Sequence, residues 1–306
     1  MEAGLYPVFI IVILVYSCIG LLLLTIKLYQ FLNRRKKRRS PFTSDFLRGP
    51  GQSLLEQLDD INEDSTYYLT VLFVSPILLY AFYISDLYSR QWPISVEYAL
   101  YYFVPGIVVI GFLLYKLFRL LNSRRKIRLG YDGEVATGQE LNLMMLQGYH
   151  VFHDFFADKF NIDHIVVGPA GVFAVETKAR SKPTSDNRKD DAQVSYDGRC
   201  LHFPQWKETK PLEQAVNQAK WLEGWLSSAT GEPTTVRPVL ALPGWYITRT
   251  SSVGIPVINP KQFKSIAKPN CGNALDERRI KSIVHQIDQR CRNIQSKAVE
   301  GLGGRN

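Results

Sequence analysis

The chain has 306 residues, with 37 basic against 28 acidic side chains and a formal charge of +9 at neutral pH. That length holds one domain of ordinary size and something more. Most of the positive excess falls after residue 121, where 26 basic face 19 acidic residues, which favours anionic partners such as nucleic acid or lipid head groups. Cys18, Cys200, Cys271 and Cys291 stand far apart with no C-x-x-C pair, which argues against a zinc ribbon and a disulfide framework.

The first element is an apolar run, Val8 to Ile26, nineteen residues without a charge. A bilayer core of about 30 Å needs about 20 such residues at 1.5 Å each. The run opens on Glu2 and closes on the basic stretch Arg34–Arg39, the reverse of a cleaved signal peptide, so it reads as an anchor. A polar stretch, 33–65, follows and reads as a loop, with "SLLEQLDDI" able to form a short amphipathic helix. Two further uncharged runs, Ser65 to Ser85 and Tyr98 to Tyr115, predict a second and a third transmembrane helix within 66–121, with tyrosines crowding their ends. The basic clusters at Arg34–Arg39 and Arg124–Arg128 place the N-terminus outside and everything after about residue 122 in the cytoplasm. Arg34–Arg39 could also hold anionic lipid.

From Tyr131 the pattern turns to a mixed α/β domain, 122–260. "DGEVATGQELNLMMLQ" predicts a helix with Asp132 as N-cap, and Glu134 lies on its apolar stripe with Gly138, Leu141 and Met145. "YHVFHDFF", "NIDHIVV" and "VFAVETK" predict three strands, and "AQVSYDGRCLHFPQW" a hairpin around Asp197-Gly198. "PLEQAVNQAKWLEGWLSSA" predicts a helix with Pro211 in its first turn, followed by strands at "VRPVLALPGW" and "VGIPVINP". An amphipathic helix and a Gly-rich tail close the chain over 261–306.

Charge sits where a half-buried sheet should avoid it. The second and third strands are joined by Gly168–Gly171, a hairpin-length connection that makes them antiparallel. With Val167 opposite Val172, the register continues to Asp163 opposite Glu176, and Lys178 lies on the face of Glu176. Two facing carboxylates can share a proton, pair with a cation or bind a divalent metal. Hard oxygen donors suit Mg²⁺ or Mn²⁺, and a lysine beside them suits charge developing on a phosphoryl oxygen.

At these residues the chain resembles the PD-(D/E)xK nuclease superfamily. "GYDGE" (130–134), "IDHIVVGPAGVFAVETK" (162–178) and "PLEQAVNQAKWL" (211–222) are similar to the nuclease-related domain, NERD, within it. The resemblance implies a restriction-endonuclease-like core (helix, three strands, helix, strand), here preceded by three transmembrane helices. It also implies magnesium dependence and action on DNA. Carried over by motif, Asp163 and Glu176 are metal ligands, Glu134 an additional acidic ligand or water-orienting group, and Lys178 the general base or charge stabiliser. Gln214 supports the site or contacts the DNA backbone, with Gln218 one turn on. The segment between Lys178 and Lys210 departs from the family pattern. The expectation is a multi-pass protein of a bacterial inner membrane whose cytoplasmic domain is a Mg²⁺- or Mn²⁺-dependent nuclease. The alternative is a catalytically inactive, membrane-tethered nucleic-acid-binding module.

Each motif has a plainer reading. The charges could be a structural ion network at a sheet edge. His164 points to the face opposite Asp163 and reads as a packed core histidine. Trp206, Trp221 and Trp225 read as core or interface packing before base stacking. Arg180, Lys182, Arg188 and Lys189 either follow a DNA backbone or solvate a loop.

Overall fold

The computed structural model describes residues 44–90, 95–183, 192–268 and 274–294, with scattered positions between 17 and 31. The first expected span, the Arg34–Arg39 cluster, Arg188, Lys189 and the C-terminal tail lie outside these or almost wholly so. The chain divides into two compact units, one containing residues 59–124 and the other Ser44–Leu58 with Arg125–Gln295.

In the first unit run the apolar portions of two long helices, α1 (Gln52–Arg90) and α2 (Val96–Asn142). Among the described residues these are the two helices long and apolar enough to cross a membrane, against the three expected. Their most apolar 18-residue windows are only 6% and 11% buried. Phe73, Ile77 and Phe82 on α1, and Ile107, Val108 and Phe112 on α2, are exposed. Where the helices meet, Tyr83 packs on Tyr98, Tyr102 and Phe103, and the hydroxyls of Tyr98 and Tyr102 donate to Asp86.

Both helices run past the boundaries the sequence suggests. Helix α1 begins at Gln52, inside the stretch read as a loop. Helix α2 continues from the third span to Asn142, so Asp132 is not an N-cap and Glu134 is not in a first turn. Each residue added to an existing helix gains a hydrogen bond without a new nucleation cost. Asp132 instead pairs with Arg128, one turn earlier, at 3.0 Å.

The second unit is built on a five-stranded sheet. Strands β2 (His150–Phe156), β3 (Asn161–Gly168) and β4 (Gly171–Thr177) form an antiparallel meander. Strand β8 (Val236–Ala241) then lies parallel to β4, and β10 (Val257–Ile258) parallel to β8. Val167 faces Val172 as the short connection requires, and that register holds to His164 opposite Val175. One face is covered by α3 (Lys210–Thr230) and α4 (Glu277–Cys291), through Ala219, Leu222, Leu226, Ile283 and Ile287. Leu141, Met144 and Phe263 cover the other. The chain order is thus helix, three strands, helix, strand.

The expected Asp197-Gly198 hairpin is present as β5 (Gln193–Tyr196) and β6 (Leu201–His202). It grows into a second sheet, because β7 (Lys207–Glu208) pairs with β6, and β9 (Tyr246–Arg249) runs parallel to β5. Segment Ser44–Leu58 belongs to this unit too. Strand β1 (Phe46–Leu47) pairs with β11 (Arg292–Ile294) just before α1 starts.

Candidate active site

Four of the five sequence-predicted site residues converge at one end of the β3–β4 hairpin. Asp163 and Glu176 are the next residues along β3 and β4 beyond the His164–Val175 pair, where the ladder ends. The backbone N–H of Thr177 donates to Asp163 Oδ2 at 2.7 Å, fixing that carboxylate against the end of β4. Glu176 is 1% exposed, on the face covered by α3. Lys178 follows where β4 leaves the sheet. Its backbone N–H donates to the carbonyl of Ala241 on β8, and its Nζ stands 2.5 Å from Glu176 Oε1.

Glu134 reaches the cluster from α2, and a glycine makes this possible. A Cβ at Gly133 would lie 2.5 Å from the Cβ of Ala179, the residue after Lys178, so only glycine lets the helix come this close. Gly51, with φ of +70°, packs beside Glu134: a Cβ there would lie 3.6 Å from the Glu134 Cβ.

The electrostatics of the trio follow from burial and like charge. Burial, with Asp154 and Glu176 nearby, pushes Glu134 up to about 8, against the lowering effects of Lys178 and the Gly51 N–H. Asp163 keeps part of its surface open, yet dense surrounding protein raises it well above the usual carboxylate range, reinforced by Glu176 and Glu134. Burial also raises Glu176, opposed first by Lys178 and then by Gln218 and Arg180. Three acids thus face one nearby lysine, and Glu176 Oε2 is buried with no hydrogen-bond partner among the described residues.

Helix α3 contributes Gln218. It is 3% exposed, donates from Nε2 to the carbonyl of Asn161 at 3.1 Å, and acts on Glu176. Gln214, one turn earlier, is exposed and lines an open pocket with Gln218. The inward position could have been read from the sequence, since Gln218 falls on the buried stripe Leu212, Ala215, Ala219, Leu222 and Leu226.

Sequence reasoning missed Asp154 and Arg48. Asp154 adopts φ of +48°, a left-handed conformation that Asp tolerates better than most residues. Its Oδ2 accepts from Arg48 Nε at 2.9 Å, Arg48 Nη2 at 2.6 Å and the backbone N–H of Ser53 at 2.7 Å. Its Oδ1 accepts from Ser53 Oγ at 2.6 Å and Asn161 Nδ2 at 2.8 Å. This network ties the first turn of α1 to β2, and its long sequence separation leaves no local signal.

On the opposite face of β3, His164 is fully buried with its Nδ1 2.9 Å from Nδ1 of His153, whose Nε2 meets Asn142 Oδ1 at 3.0 Å. His164 is therefore a packed core residue. Trp221 and Trp225 stack at 6.3 Å under Arg290, and Trp206 stacks on Phe203 at 4.5 Å, all as packing. Arg180 is held by Glu208, with Nη2 2.5 Å from Oε1, and Lys182 lies over Trp245.

As a donor set the carboxylates suit a hard divalent cation, with one lone oxygen turned into a dry site. Among the described residues, however, no group of three or more His, Cys, Asp or Glu is spaced to hold an ion. Mg²⁺ commonly takes only one or two protein carboxylates and completes its shell with water and substrate phosphate, so Asp163 with Glu176 is a sufficient pair in kind.

Residues 129–243 match the family model of the nuclease-related domain, NERD, and all five candidate residues lie inside that match. This part of the chain is similar to nuclease-related domains. Among curated proteins and among solved structures, nothing matches the chain.

Proposed function

We propose that the chain is a membrane-anchored nuclease that hydrolyses DNA phosphodiester bonds with the help of Mg²⁺ or Mn²⁺. The observation that carries this reading is the acid trio with Lys178 against Glu176, inside a nuclease-related domain. The strand and helix order supports a restriction-endonuclease-like core, and the two apolar helices support a membrane anchor with the domain in the cytoplasm. Asp163 and Glu176 would hold the cation, with Glu134 as a further acidic ligand or water-orienting group. When bound, the cation lowers the pKa of a water and offsets charge on the phosphoryl oxygen. Lys178 acts as general base, or donates to the charge that develops as the water oxygen bonds to phosphorus and the P–O ester bond breaks. Gln218 steadies Glu176 from α3, and Gln214 meets the strand at the surface.

Plasmid nicking by the full chain in detergent, with Mg²⁺, tests the proposal. Asp163→Asn and Glu176→Gln should each lower the rate at least about a hundredfold, the scale on which electrostatic catalytic groups act. Cleavage that persists in EDTA, or in both variants, defeats it.

The ion pair of Lys178 with Glu176, which occupies one of that acid's oxygens without a metal, favours a second reading, a nucleic-acid-binding module without catalysis. A salt-sensitive mobility shift without metal-dependent cleavage would establish that alternative.

A further inference from the structure

Beside the acid trio, Phe160, Lys210, Glu213, Gln214, Asn217 and Gln218 line an open pocket of about 410 Å³. That is at the small end of the roughly 300–1,000 Å³ found for small-molecule sites, and suits one nucleotide rather than a stack of base pairs. The pocket adjoins the candidate site, because Gln218 in its wall donates to the carbonyl of Asn161, two residues before Asp163 on β3. The Phe160 ring is half-buried, fixed edge-on against Trp221 with centroids 5.6 Å apart, which leaves it an aromatic surface of set orientation. Around it, exposed Gln214, Asn217 and Glu213 offer amide and carboxylate groups that match the amines and carbonyls of a base edge. Lys210, also exposed, supplies a cation for a phosphate and offsets Glu213.

We infer that this pocket receives one unpaired nucleotide of the strand being cut, its base on Phe160 and its phosphate towards Lys210. This rests on the nuclease reading and sharpens it. A base inside a duplex presents no free face to an aromatic ring, so the preferred substrate is a single strand, an overhang or a frayed end. Base stacking on an aromatic side chain is sequence-tolerant, so little sequence preference follows.

The test uses the full chain in detergent micelles, with Ca²⁺ present to hold carboxylates and phosphate together. Fluorescence anisotropy compares a labelled 12-nucleotide single strand with the same strand made abasic throughout. The intact strand should bind about tenfold more tightly, the scale of one base–aromatic stack. Phe160→Leu keeps the apolar volume and should erase most of that difference, whereas Lys210→Ala should weaken both strands alike and flatten the salt dependence. Equal affinity for intact and abasic strands overturns the pocket, as does a Phe160→Leu protein that still tells them apart. Binding of neither strand overturns it as well. Plasmid nicking in Mg²⁺, measured on the same preparation, decides separately whether the nuclease reading falls with it.

Discussion

Replacing Arg48 by methionine removes the cation from the most completely paired carboxylate in the domain and keeps the apolar stem. Arg48 and Asp154 side chains are 8% and 2% exposed, so the lost partner leaves a buried negative charge. Breaking one side of such a pair costs about 3–5 kcal/mol. Ser53 and Asn161 still donate to Asp154, which argues for the lower end, about 3 kcal/mol. In a domain of this size each kcal/mol lowers Tm by about 2–4 °C, so unfolding followed by tryptophan fluorescence should shift down by about 10 °C. Hydrogen exchange should speed up first across residues 44–58, whose remaining strand pairing is the two-residue β1. Asp154→Asn keeps an oxygen for Ser53 and Asn161 and removes the charge. Adding it to Arg48→Met should therefore recover about 2 kcal/mol, a coupling expected of residues in direct contact. A shift under about 3 °C for Arg48→Met, or two losses that simply add, would refute the claim that this pair closes segment 44–58 onto the domain.

Three other outcomes follow from the same geometry. In EDTA, Glu134→Gln should gain on wild type as pH rises. The wild-type acid, raised from 4.5 to about 8, contributes stability below about 4.5 and loses it through about 8, worth at most about 5 kcal/mol; a pH-independent Tm gap would refute this. His153, held down to about 4 by burial, stabilises the fold above about 6.5 and loses up to about 3 kcal/mol as pH falls to about 4. Urea titrations of His153→Gln should show an acid slope shallower by about 1.4 kcal/mol per pH unit. Lys178→Met should lower nicking about a hundredfold or more while leaving strand binding in Ca²⁺ within about threefold, and loss of both would mean that the lysine serves the fold.

How much was legible depended on the sequence distance over which each feature is decided. The Gly168–Gly171 turn sets the β3–β4 register as far as His164 opposite Val175, so the neighbourhood of Asp163 and Glu176 was legible from a local signal. Helix α3 declares its buried face through spacing alone. Helix α2 was misread because Asp132 looks like an N-cap, whereas the helix runs straight through it, and through Gly133, which the approach of Ala179 requires. Asp154 is held by a partner over a hundred residues earlier, and the parallel pairing of β5 with β9 is likewise nonlocal. No window of local pattern contains those partners.

Two groups of buried charge lie within one domain and are satisfied to different degrees. Asp154 is satisfied on both oxygens by an arginine, a serine and an asparagine, and nothing in its surroundings asks for another ligand. That is how a protein stabilises a buried acid it uses only for folding. Glu134, Asp163 and Glu176 are arranged the opposite way. They share one close lysine, each is driven towards holding a proton, and Glu176 keeps a buried oxygen with no donor. A scaffold that needed only stability would replace such a trio with apolar residues at little cost. On the proposed reading, a cation from outside the chain would take the place of the protons these acids are driven to hold.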